Sequence, residues 1–196
     1  MASASNGSQP GESLRSQLRA ATMAAHDLLD HAMQAASGWQ TRGDYARFLA
    51  LQHAARAPLE NWLAAHADKG LAPPVQTALI AEDLARLGMP TPPPAPLFTL
   101  GLPGTGAALG TAWVLAGSAL GNKAIARQVA RIGGGAWPAA FLGDDAMMAF
   151  WQGLRPRIEA PAAPGEAEGA TRAAEAVFAH FLAAAERGHP AESVPA

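Results

Sequence analysis

The sequence predicts an all-α protein: a single-domain bundle of about six helices. Alanine supplies 49 of the 196 residues, about half of the 49% hydrophobic content, and Ala is the best helix former and the poorest core filler. Aromatic residues make up 6% of the chain and Tyr appears once, too few for a β-sandwich or barrel. Apolar residues recur at spacings of three and four along most of the chain, and its length permits a full hydrophobic core.

The elements follow in order. Met1 to Glu12 is Ser/Gly/Pro-rich, without the basic and apolar regions of a signal peptide, and reads as a disordered leader. A first helix is expected from Glu12–Ser13, with Ser13 as N-cap. Its stripe is Leu14, Leu18, Thr22, His26, Leu29 and Met33, and Gly38 ends it. Asp44 is expected to cap a second helix with Phe48, Leu51, Ala55, Leu59, Trp62 and Leu63 inward. Pro58 inside that pattern predicts a kink near Ala54.

A third helix is expected from about Pro73 to Leu87, with Val75, Leu79, Ile80, Leu84 and Leu87 inward, and Met89 to Pro96 forms a rigid connector. The fourth runs from near Thr105 to Ile132 and stops at Gly133, Gly134 and Gly135. Asp144 to Ile158 is the fifth. Ala167 to Arg187 is the sixth, carrying Ala174, Val177, Phe178, Phe181 and Leu182. Residues 13–188 thus make one helical domain, and 189–196 a disordered tail.

Composition excludes several classes of function. Fourteen basic and 16 acidic residues give a net charge of −2, and no Lys/Arg stripe is present to neutralise phosphates, so nucleic acid is not an expected partner. Cysteine is absent, which removes disulfides, thiolate metal sites and Cys nucleophiles and fits a reducing cytoplasm. No Gly-x-Ser-x-Gly elbow occurs. Leu87 to Asn122 contains no charged residue, but six prolines from Pro90 to Pro103 break it. The uninterrupted part, Ala107 to Leu120, is shorter than the ~20 residues a bilayer span requires. A helix buried in the core is expected instead, and no membrane association.

Among the six histidines (His26, His31, His53, His66, His180 and His189), His26 stands apart on an apolar stripe between Thr22 and Leu29. A buried neutral imidazole is a good iron ligand, and an isolated one suits haem better than free metal. The plain alternative is a packed, hydrogen-bonded core histidine. Arg19 lies two turns before His26, about 10.5 Å along the axis. That separation suits an axial imidazole and a propionate-binding guanidinium, or simply a solvated arginine at the helix edge. Gly117 and Gly121 in the fourth helix cost about 1 kcal/mol each relative to Ala. They permit a flat ligand, or another helix, to approach the backbone.

Together the stretches "LRSQLRAATMAAHDLLD" (Leu14 to Asp30), "TAWVLAGSALGNKAIARQV" (Thr111 to Val129), "AFWQGLRPRIE" (Ala149 to Glu159) and the late "AAEAVFAHF" resemble the haem oxygenases. The likeness is to the bacterial type often found beside bacteriophytochromes. Thr22 and His26 match that family's Thr-x-x-x-His, and Gly117, Ser118 and Gly121 match its distal Gly-Ser-x-x-Gly-Gly core. The resemblance implies a haem oxygenase-like bundle that cleaves haem b, both cofactor and substrate, to biliverdin, CO and iron. The reaction uses O2 and an external electron donor, ferredoxin-like or another reductase, and a bacteriophytochrome is the implied biliverdin acceptor.

By the same resemblance His26 is the proximal ligand, and Gly117 and Gly121 are the distal positions against which haem and oxygen sit. Ser118 helps hold distal water, Arg155 and Arg19 bind propionates, and Thr22 and Trp113 belong to the haem-binding helices. The chain departs from the family pattern at Asn122, where a second glycine is usual. It departs again at Trp113 and Ala116, which replace Tyr and Glu of a common Tyr-Val-Leu-Glu lead-in. Two other readings stand beside this one: a haem-binding protein of the same fold without efficient turnover, and a helical interaction module in which His26 is a core residue.

Overall fold

The computed structural model describes residues 12–101 and 103–188, so most of the expected leader and the whole expected tail, with His189, lie outside the described residues. The described chain forms six helices: α1 (Leu14–Ala36), α2 (Arg42–His66), α3 (Thr77–Arg86), α4 (Ala107–Ile132), α5 (Asp145–Glu159) and α6 (Glu166–Gly188). The all-α expectation holds. Among the described residues no helix is long and apolar enough to cross a membrane.

Ser13 caps α1 as expected, its hydroxyl accepting from Ser16 N. The N-cap of α2 lies three residues before the expected one. Thr41 is the N-cap in a full capping box: Thr41 Oγ1 accepts from Asp44 N (3.1 Å), and Asp44 Oδ2 accepts from Thr41 N (2.9 Å). The sequence expectation took the second partner of the box for the cap. Thr41→Ala should lower stability by about 1 kcal/mol in denaturant unfolding, the usual worth of such a cap.

α2 continues through Pro58. Proline has no N–H for the Ala54 carbonyl, and that carbonyl instead accepts from Ala95 N (2.9 Å). The Pro-rich connector is thereby tied to α2.

α3 is shorter than expected. Residues 73–76 are non-helical and Val75 is 61% exposed, because Glu60 of α2 takes over the helix start, accepting from Gln76 N, Thr77 N and the Thr77 hydroxyl. A long-range carboxylate, invisible to periodicity, sets that boundary.

α6 is the axis of the bundle, packing against α1, α4 and α2, while α5 packs on α4 and α1. The buried face of α6 is narrow near its start (Gly169, Ala170, Ala173, Ala174), bulky in the middle (Val177, Phe178, Phe181) and small again at Ala184 and Ala185. The narrow end crosses α4 at backbone contact distance. A Cβ on Gly110 would fall 2.0 Å from Ala170 O, and one on Gly169 would fall 2.0 Å from Thr105 O. Gly106 permits the turn into α4 with φ +87°. The first turn of α1 is fastened to the end of α5 by Leu14 N donating to Ala160 O (3.1 Å). α1 and α4 thus both rest on α6 but scarcely meet each other.

Candidate functional site

Between α1 and α4 opens a cavity of about 770 Å3, within the range of single-ligand sites. Along α1 its wall carries Arg15, Arg19, Thr22 and His26, all on one side of the helix because they lie three or four residues apart. Along α4 it carries Trp113, Gly117, Ser118, Gly121 and Asn122. Trp151 of α5 and Phe178 of α6 add apolar surface, and α2 contributes Gln52 and Arg56.

His26 was expected as a buried imidazole on the α1 stripe. Its side chain is 59% exposed, because at this height the stripe leaves the packed core and faces the cavity. Nδ1 lies 3.4 Å from Asp30 Oδ2 and 3.8 Å from Asp27 Oδ1, which favours a proton on Nδ1 and leaves the Nε2 lone pair free. Phe178 holds the ring edge-on from α6, centroids 6.1 Å apart. Among the described residues no three His, Cys, Asp or Glu side chains gather as a metal site. A lone imidazole suits an ion whose other ligands come with it, as in a porphyrin.

The glycines divide by function. The tight helix crossing falls on Gly110 and Gly169, whereas Gly117 and Gly121 face the cavity. A Cβ on Gly121 would meet nothing within 4 Å, and one on Gly117 only an ordinary contact with Trp151 at 3.7 Å. Packing against another helix is therefore not what these two glycines serve. Among the described residues Trp113 Nε1–H is buried without a hydrogen-bond partner.

Thr22 is buried and donates to Leu18 O (2.8 Å) within its own helix. The Ser118 hydroxyl donates to Leu115 O (2.7 Å) and accepts from Arg56 Nη2 (2.7 Å), so its proton is already engaged. Arg155 is not brought to the cavity wall. It lies on the exposed side of α5, paired with Glu159 (2.9 Å), and Arg15 reaches the same carboxylate at 3.6 Å.

Sequence reasoning missed Arg15 and, above all, Arg56, which is 1% exposed. A signal existed. Arg56 lies seven residues from both Leu49 and Leu63, two of the most buried side chains of α2, so it occupies an apolar stripe where a solvated arginine has no place.

The six-helix bundle has the all-α fold of the haem oxygenases. The structure of the Neisseria meningitidis haem oxygenase in its NO- and CO-bound forms superposes with a TM-score of 0.71 at 20% identity. The match covers 92% of this chain and 95% of that one. No protein-family model and no curated protein matches the chain.

Proposed function

We propose that the cavity binds haem and that the chain is a haem oxygenase, cleaving haem to biliverdin, CO and iron with O2 and electrons from an external donor. The observation that carries this reading is the meeting of His26 and Arg19 on one wall with Gly117 and Gly121 on the other, in a bundle with the haem oxygenase fold. The residues fit the group on two counts: a lone imidazole that faces the cavity, and two positions of the opposite wall, Gly117 and Gly121, without Cβ atoms.

His26 would be the iron ligand, with Asp30 beside Nδ1 orienting the ring. Bound haem would supply the redox-active iron and the O2-binding position. Arg19 and Arg15 would hold the propionates by charge-assisted hydrogen bonds, and Arg155 would act behind them through the shared Glu159. Backbone polar groups at Gly117 and Gly121, uncovered by side chains, would hold water and pass protons from the α4 side. Ser118 would contribute its remaining acceptor capacity to that water. Trp113 and Trp151 would shape the pocket and limit which porphyrin edge is exposed. A ferredoxin-like protein or other reductase as electron donor, a bacteriophytochrome as biliverdin acceptor and a cytoplasmic setting complete the proposal. These three rest on the sequence alone.

A second reading, haem binding without efficient turnover, is favoured by Asn122, 6% exposed, a polar side chain lining the cavity where the related pattern has glycine. One experiment separates them. Haemin titration should sharpen a Soret band, and ascorbate or a ferredoxin system under air should then convert it to a broad red-absorbing bilin spectrum. A Soret band stable under reductant would select binding without turnover, and no Soret change would defeat both.

A further inference from the structure

We infer that Arg56 is a specificity-determining residue of this cavity: a buried cation beside Ser118 that makes the haem-loaded site prefer small anionic ligands over neutral ones. The inference rests on the haem reading above. Arg56 rises from α2 into the cavity wall and is 1% exposed, the cavity side included, so it lies just behind the wall's surface. Its three hydrogen-bond acceptors are all neutral: Gln52 Oε1 (3.0 Å), Gln76 Oε1 (2.8 Å) and Ser118 Oγ (2.7 Å). Two phenyl rings pack on the guanidinium, Phe141 at 5.0 Å and Phe181 at 5.9 Å from Cζ to centroid.

Among the described residues no carboxylate lies within 4 Å of it. Glu60 acts on it through space and, like Asp144, is linked to it through Gln76, whose N–H donates to Glu60 and whose Nε2 donates to Asp144 (3.0 Å). Both carboxylates are further engaged by backbone N–H groups at the starts of α3 and α5. A buried charge is ordinarily paired. Burial pushes the Arg56 pKa down to about 10, which leaves it cationic at neutral pH. Guanidinium donors beyond the three engaged ones remain. The polarity of this wall is therefore set by a buried positive charge that no direct ion pair neutralises, with Glu60 acting on it from further off, and Ser118 is its contact with the helix bearing Gly117 and Gly121.

A unit charge in such a wall is worth on the order of tenfold in the affinity of a nearby anion. The test uses the haemin-loaded full chain at fixed neutral pH, titrated by absorbance with azide and fluoride, and separately with nitric oxide and imidazole. Arg56→Gln should weaken azide and fluoride by about tenfold and leave the neutral ligands within about threefold. Equal weakening of all four ligands would reduce Arg56 to a packing residue and overturn the inference, as would no change at all. Arg56→Lys keeps the charge, so azide affinity should stay within about threefold of the wild type. A tenfold loss there, with the haem spectrum unchanged, would show that the charge is not what the anion reads and overturn the inference even if Arg56→Gln does not fold. A wild-type chain that gives no Soret band removes the haem reading and this inference with it, an outcome distinct from a Soret band with unselective ligand binding.

Discussion

His26→Ala is expected to abolish the histidine-ligated haem spectrum and to lower haemin affinity by at least about tenfold. Disturbing the hydrogen-bond partner of a metal-bound histidine typically costs ten- to a hundredfold, and removing the ligand itself should cost no less. The fold should not suffer. The His26 side chain is 59% exposed, so apoprotein stability should stay within about 0.5 kcal/mol. Added imidazole should restore the axial signature by entering the space the side chain leaves. An unchanged spectrum in the variant would sink the proximal assignment, and a collapsed apoprotein would show that His26 belongs to the packing instead.

The second expected result is a pair of opposite signs on one helix. Gly110→Ala places a methyl 2.0 Å from Ala170 O and 2.7 Å from Ala170 C, and neither atom can yield because both belong to the α6 backbone. The two helices must separate, at a cost of about 3 kcal/mol or more, a drop of roughly 6–12 °C in Tm for a chain of this length. Gly121→Ala meets nothing within 4 Å and removes a flexible residue from a helix interior, so it should stabilise the apoprotein by about 0.5–1 kcal/mol. It should also weaken haemin binding, since the methyl occupies the cavity. Scanning calorimetry on both apoproteins decides: destabilisation of similar size at the two positions would contradict the division between packing glycines and cavity glycines.

That division shows how far the sequence could be read. Gly106 and Gly110, Gly117 and Gly121, and Gly165 and Gly169 all share one four-residue spacing. The spacing says only that something approaches the backbone closely, since a helix and a ligand impose the same demand on Cβ. The pair at Gly117 and Gly121 was legible as a candidate site only through the resemblance of Gly117, Ser118 and Gly121, together with Thr22 and His26, to the haem oxygenase pattern. Gly110, outside that pattern, drew no notice and proves to be the α4–α6 contact. Arg19, Thr22, His26, Trp113, Gly117, Ser118 and Gly121 all line one cavity. Arg155 does not, because Glu159 one turn later holds it on the outer side of α5.

Helix identity and number were determined by the sequence itself. Alanine content, three-and-four apolar spacing and local caps such as Ser13 and Asp144 act within a few residues, so their energetics do not await the rest of the chain. Only tertiary structure decided where α3 begins, since Glu60 and Thr77 are brought together across a loop. It also decided which part of the α1 stripe is core and which is cavity, because α1 and α4 each pack on α6 rather than on one another. And it decided that Arg56, to local pattern an intrusion in an apolar stripe, is a buried charge at the wall of the site. Burial and charge pairing are sums over neighbours from three helices and two connecting segments, and no window of sequence contains them.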